Sequence, residues 1–218
     1  MSTKVLEFLS TLKENNDRDW FKANKQYYEE ARAEFKSMVE NLIPALAITN
    51  PLLGNLEAKD TIFRIYRDVR FSKDKSPYKI GMGAYMAPGG RKSLLAGHYL
   101  HIEPGNSFLA GGSYCPKGDY LKSIRSEIYY NNSEFNTILN SSNFKKLFGE
   151  IEGSRLKRPP VGFPKDFKDI ELLKFKDYTI FRKIDDKAVE RPDFLKMSVD
   201  IFNKMNPFIE FLNRALSG

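Results

Sequence analysis

Gly97-His98-Tyr99-Leu100-His101-Ile102-Glu103, Pro104-Gly105-Asn106 and Ser107-Phe108-Leu109-Ala110-Gly111-Gly112-Ser113-Tyr114 follow one another in the chain, and their reading decides the fold class. The outer runs are strand-like and the middle cluster forms turns, so Gly97–Glu103 and Ser107–Tyr114 read as an antiparallel hairpin. Upstream, Ile80, Met82, Ala84 and Met86 alternate with Lys79, Gly81, Gly83 and Tyr85, which predicts another strand. From Thr61 to Phe71 the alternation sets Phe63, Ile65, Val69 and Phe71 against Arg64, Tyr66, Asp68 and Arg70. Four neighbouring strands with short connections predict an antiparallel sheet, and nothing reads as alternating strand-helix-strand units. Tyr178–Ile184 offers one more strand.

Both ends of the chain read as helical. Val5, Phe8, Leu9 and Leu12 recur at helical spacing until Asn15-Asn16-Asp17 breaks the run. A longer helix is predicted from about Asp19, an N-cap residue type, with Phe21, Tyr28, Ala31, Phe35, Met38 and Leu42 along its apolar stripe. Trp20 reads as a core anchor at the start of that helix. Helical spacing returns after Asp119 through Leu121, Ile124 and Ile128, and again from Phe135 to Phe148. A closing helix from about Asp193 carries Phe194, Met197, Ile201, Met205, Phe208 and Leu212, with Pro207 a point of kinking or restart. Arg155–Lys168 contains Pro159-Pro160 and Gly162-Phe163-Pro164 and reads as an extended loop. The expected architecture is a single α+β domain over residues 1–218, a central antiparallel sheet with helices from both chain ends packed on it.

Composition bounds the functional classes. With 218 residues, 41% of them hydrophobic, the chain can bury a sizeable core. A mean hydropathy of −0.48 and the lack of a long apolar run argue against a membrane span. Met1-Ser2-Thr3-Lys4-Val5-Leu6-Glu7-Phe8 turns amphipathic at once and lacks a secretory core. Cys115 is the one cysteine and permits no internal disulfide. These features predict a cytoplasmic protein without a membrane partner. They assign no cofactor and no oligomeric state.

The basic charge is local. Residues 64–79 hold six Lys/Arg against Asp68 and Asp74, residues 155–168 hold five against Asp166, and the whole chain is only +7. Such concentration focuses a field that attracts phosphate or carboxylate groups. Strand alternation predicts Arg64, Tyr66, Asp68 and Arg70 on one side and Arg67 on the opposite, apolar side. A charge on a core face needs a partner, so Arg67 reads as a structural ion pair or a ligand clamp. Past Phe71 the chain turns at Ser72-Lys73-Asp74-Lys75-Ser76-Pro77, which brings Lys73, Lys75, Tyr78 and Lys79 near the end of the arginine run. Arginine suits bidentate oxyanion binding, and lysine adds less directional charge.

Tyr99, His101 and Glu103 share a strand face, while His98 looks the other way with Leu100 and Ile102. Histidine beside a carboxylate can act as a general base with Tyr99 as a hydrogen-bond donor, and the simpler reading is a paired histidine on a sheet surface. Spacing signposts no third metal ligand, so no metal site is assigned. Gly111-Gly112 matches neither a phosphate-binding loop nor a dinucleotide fingerprint and reads as sheet architecture. Cys115 reads as a bland thiol.

The strings Asn15-Asn16-Asp17-Arg18-Asp19-Trp20-Phe21, Arg67-Asp68-Val69-Arg70-Phe71-Ser72-Lys73-Asp74-Lys75-Ser76-Pro77-Tyr78-Lys79, Ile102-Glu103-Pro104-Gly105 with Gly111-Gly112 and Tyr114, and Leu156-Lys157-Arg158-Pro159-Pro160-Val161-Gly162-Phe163 resemble one bacterial and fungal family, domain of unknown function 2461. The resemblance spans nearly the whole chain. It implies an α+β single domain, no established activity and no assigned catalytic residues. Three functions therefore compete. A pocket for a phosphorylated or carboxylated small molecule would join the arginine segment to Tyr99, His101 and Glu103. Nucleic-acid binding, the less favoured, would use both basic segments with Tyr66, Phe71, Tyr78, Phe163 and Phe167. A structural or adaptor domain would pair its charges internally.

Overall fold

The computed structural model describes residues 4–217; Met1, Ser2 and Thr3, part of the amphipathic N-terminal reading, lie outside them. Helix α1 (Lys4–Glu14) buries Val5, Phe8, Leu9 and Leu12 completely, as their spacing requires. The expected single helix from Asp19 is two. Asp17, not Asp19, is the cap, because its carboxylate accepts the backbone N–H groups of Asp19 and Trp20 at the start of α2 (Arg18–Ala23). Asn24 ends α2, donating its backbone and side-chain N–H groups to the Trp20 carbonyl, each at 2.9 Å, before α3 (Lys25–Ala47) begins. Trp20 is half-buried, its ring 6.2 Å from Phe8. Phe21 stacks on Tyr78 with ring centroids 4.0 Å apart and 13° between planes, which ties these helices to the basic segment.

The sheet holds β1 (Met82–Met86), β2 (Gly97–Ile102), β3 (Ser107–Ser113) and β4 (Tyr178–Ile184), antiparallel throughout in the order β1-β2-β3-β4. The central hairpin is as expected, with Gly97 opposite Gly112 and His101 opposite Phe108. Thr61–Phe71 is the exception. Thr61 closes the short helix α4 (Ala58–Thr61), and the residues after it make only isolated bridges, Ile62 to Ala84 and Tyr66 to Tyr78. The chain folds back on itself here: Arg67 N–H donates to the Pro77 carbonyl at 2.9 Å and Lys79 N–H to the Ile65 carbonyl at 2.8 Å. Proline has no N–H to extend that ladder. Of the expected apolar face only Ile65 is buried, and Phe71 is 96% exposed. The fourth strand comes instead from Tyr178–Ile184.

One face of the sheet is the core face. Met82, Ala84, Leu100, Ile102, Leu109 and Ile180 are buried there, beneath α10 (Phe194–Leu216) and α3. A Cβ on Gly111 would lie 2.8 Å from Met205 Sδ, and one on Gly112, at φ +126°, would lie 2.1 Å from the Tyr178 carbonyl oxygen. Gly111 thus marks a close helix–sheet crossing and Gly112 a close approach to the β4 backbone, both sheet architecture as expected. Helix α10 runs on through Pro207 without a break. Between β3 and β4 lie α5 (Gly118–Tyr130), α6 (Asn132–Asn140), α7 (Ser142–Leu147) and α8 (Ile170–Leu173), and α9 (Asp186–Val189) precedes α10. Residues 155–168 form no helix or strand, as their prolines predict. Among the described residues no helix is long and apolar enough to cross a membrane.

His98 is buried on the core face, its Nε2–H shared between the Phe202 carbonyl at 3.2 Å and Asn206 Oδ1 at 3.1 Å. Both partners are acceptors, so Nε2 carries a proton. Burial pushes its pKa down from 6.5 to about 4, against smaller upward pulls from those two bonds. The unfolded chain takes this proton at the ordinary value and the folded protein only at the lower one, so stability falls as pH drops from about 6.5 to about 4, by about 3 kcal/mol. Urea midpoints measured across that range should decline, and His98→Gln should flatten the decline.

Candidate functional site

The opposite sheet face carries Tyr99, His101, Phe108 and Phe181. Tyr99 and His101 lie across the neighbouring strand rather than standing off it, and two glycines make this possible. A Cβ on Gly83 would lie 2.2 Å from Tyr99 Oη, and one on Gly81 2.8 Å from the His101 ring. The His101 ring is clamped on its other side by Phe108, centroids 4.7 Å apart and 23° between planes. Tyr99 Oη is 3.1 Å from His101 Nδ1, and His101 Nε2 is 2.9 Å from Glu103 Oε2. In the neutral ring Nε2–H donates to Glu103, so Nδ1 accepts from the Tyr99 hydroxyl. Burial first, and the Glu103 charge second, push the Tyr99 pKa up to about 12, so the phenol is neutral at physiological pH.

The relay faces the basic segment across a cleft of about 450 Å³, a size typical of small-molecule sites. Of the residues singled out in the sequence, Arg64, Arg67, Tyr78, Lys79, Tyr99, His101 and Glu103 line it, and Asp68, Arg70, Lys73 and Lys75 do not. The strand-based expectation that Arg64, Asp68 and Arg70 share a face fails because the strand itself is missing. Arg70 instead forks onto Asp68 through Nε–Oδ1 at 2.9 Å and Nη2–Oδ2 at 2.6 Å, outside the cleft. Lys75 donates to the Val69 carbonyl at 3.0 Å, and Lys73 is exposed. Tyr78 contributes little surface, being buried on Phe21, and its backbone is held on both sides by Asn16.

Arg67 lines the same cleft as Arg64 rather than the opposite face that alternation predicted, and it is the more buried of the two. Its Nη1 donates to Asp74 Oδ2 at 2.5 Å and to the Ser76 carbonyl at 3.1 Å, leaving the side chain 25% exposed. Hydrogen bonds from Ser76, through its hydroxyl and then its backbone N–H, and from Arg67 hold the Asp74 pKa down at about 2. Arg64 and Lys79 differ. Among the described residues neither forms an ion pair. The Lys79 ammonium lies 5.6 Å from the Phe63 ring centroid, and burial, then the like charge of Arg64, lowers its pKa. A cation disfavoured by burial and by a like-charged neighbour is relieved by an anion beside it.

The cleft also holds residues the sequence reading passed over. Lys13 and Asn16 come from the end of α1 and the turn after it, where the Asn15-Asn16-Asp17 run was given no site role, Phe63 precedes the basic segment, and Ser76 lies in its turn. The one available signal was the Gly81-Met82-Gly83 spacing beside a strand rich in large rings. The basic loop 155–168 lines a separate cleft, and its Phe163 and Phe167 pack against Tyr129. Cys115 donates its backbone N–H to Asp177 at 2.8 Å, and burial, then that carboxylate, pushes its thiol pKa up, away from nucleophilic character. Among the described residues no group of three or more His, Cys, Asp or Glu gathers in a metal-binding arrangement.

Fold and cleft together define an α+β protein with helices on one face of a four-stranded antiparallel sheet and a basic cleft against the other. Residues 4–211 match the family described as conserved hypothetical protein (DUF2461), and the chain belongs to that family. Neither curated proteins nor solved structures give a match.

Two measurements check this geometry. Gly83→Ala places a methyl where Tyr99 Oη sits, so it should push the ring aside and break its bond to His101 Nδ1, seen as a changed Nδ1 nitrogen shift with the sheet intact. The Asp74 carboxylate is depressed, so the support it lends is complete above 3.8 and lost only as pH falls through about 2. Its side-chain carbon resonance should titrate near that lower value, and a midpoint at 3.8 would show that neither the Ser76 hydrogen bonds nor the Arg67 clasp holds.

Proposed function

We propose that the protein binds a phosphorylated or carboxylated small molecule in the cleft between the 63–81 segment and the Tyr99–His101–Glu103 face. The observation that carries this reading is the pair of cations without carboxylate partners, Arg64 and Lys79, opening into the cleft that holds the relay. The relay suits an anion. Without ligand, the Tyr99 proton points inward to His101 Nδ1. When His101 carries a proton on both nitrogens, Nδ1–H donates to the phenol oxygen and the Tyr99 O–H turns to the ligand. An anion in the cleft favours this doubly protonated ring, held between Glu103 and Tyr99, and the same path supplies acid or base in any turnover. The single exposed cysteine is in keeping with a reducing cytoplasm as the setting.

A structural role fits the other half of the segment, where Arg67 and Arg70 pair with Asp74 and Asp68. The nucleic-acid reading draws less support, because Tyr78, Phe163 and Phe167 are committed to packing.

A thermal-shift screen of phosphorylated and carboxylated metabolites tests the proposal. A ligand at 100 times its Kd should raise the melting temperature by about 5–10 °C. Arg64→Ala and Lys79→Ala should abolish the rise, and Arg70→Ala should leave it intact. Calorimetry in buffers of different ionisation heat should then show proton uptake that His101→Phe removes. A flat screen, or equal loss in all three cation variants, would sink the reading.

A further inference from the structure

We propose a second, separate phosphate site between α5 and the loop 156–163, taking a small molecule with a phosphate monoester or diphosphate on an apolar body. Arg125 of α5 is only 9% exposed, yet among the described residues no carboxylate pairs with it. Its Nη2 donates to the Phe175 carbonyl at 2.9 Å, and its Nε is buried without a partner. A buried guanidinium with no counter-ion and with its Nε left unpaired is costly, and an oxyanion supplies the missing charge. Arg125 lines a cleft of about 720 Å³ together with Lys122, Lys157 and Arg158, and no acidic residue lines it. Four cations without a carboxylate fit a multiply charged phosphate better than a monocarboxylate.

The walls of the cleft set the rest of the ligand. Leu156, Pro160, Val161 and Phe163 also line it, and Val161 is 97% exposed. The loop is held in place rather than loose. Leu156 N–H donates to the Lys174 carbonyl at 2.8 Å, and Phe163 packs 5.7 Å from the Tyr129 ring on α5. Consecutive prolines at 159 and 160 stiffen it further. The backbone that carries Lys157 and Arg158 is therefore fixed before a ligand arrives, which lowers the ordering cost of binding.

Titration calorimetry with inorganic pyrophosphate tests the site, with methyl and hexyl phosphate probing the apolar wall. Saturable binding is expected, weakened about tenfold or more by Lys157→Ala/Arg158→Ala and by Arg125→Lys, and unchanged in Arg64→Ala/Lys79→Ala. Hexyl phosphate should bind more tightly than methyl phosphate. If Arg125→Lys does not fold, the exposed pair Lys157 and Arg158 decides alone. The proposal is overturned by absence of saturable binding at millimolar pyrophosphate. Loss confined to Arg64→Ala/Lys79→Ala overturns it too, since that assigns the phosphate to the first cleft. An Arg125→Lys variant with a lower melting temperature and unchanged affinity makes Arg125 purely structural and equally overturns it. Equal affinity for the two alkyl phosphates, or tighter binding of a short oligonucleotide, overturns the ligand class.

Discussion

Helix α10 lies so close to β3 that position 111 has no room for a Cβ, and that contact settles which face of the sheet is the core. In a strand the parity of a residue then decides its fate. His98, Leu100 and Ile102 go under the helices, while Tyr99, His101 and Glu103 go to the far side. Burial makes His98 a neutral structural donor. The other histidine, three residues on and of opposite parity, sits between a phenol and a carboxylate at a cleft wall. Two residues of the same chemistry acquire unrelated roles from one packing decision.

The far face needs a second constraint to become a site. Large rings on β2 can lie flat only if the adjacent strand offers no side chains beneath them. Gly81 and Gly83 meet that need and draw Tyr99 and His101 toward the β1 edge, where the 63–81 segment runs. Had Tyr99 and His101 stood upright, their polar atoms would have faced away from the cations. The stacking of Phe21 on Tyr78 and the grip of Asn16 on the Tyr78 backbone hold that segment from the helical side. The cleft is thus framed by three parts of the chain far apart in sequence.

Charge is distributed in the same uneven way. Asp68 and Asp74 each satisfy one arginine, and their partners serve the loop's own geometry. Arg64 and Lys79 in the first cleft, and Arg125 in the second, have no carboxylate partner among the described residues. A tally of lysines and arginines treats all of these alike. The informative quantity is the cation that burial and neighbours leave uncompensated, because its self-energy is what an anion lowers.

Periodicity in the sequence by itself determined the class of fold, the central hairpin, the β4 strand, the helical ends, the irregular basic loop and the opposite facing of His98 and His101. These follow from local geometry, since side chains alternate along strands and recur every three to four residues in helices. It also marked the basic segment and the Tyr99–His101–Glu103 face as the places to look. Tertiary structure alone decided that Thr61–Phe71 is no strand, because its backbone bonds to Gly83, Pro77 and Lys79 form isolated bridges rather than a ladder. It alone decided that Asp17 rather than Asp19 caps α2, a choice made by which carboxylate meets the free amides. The sorting of cations into paired and unpaired was also tertiary, as was the recruitment of Lys13, Asn16 and Arg125. Contacts between residues distant in the chain set those outcomes, and spacing along one segment carries no record of what another segment will bring beside it.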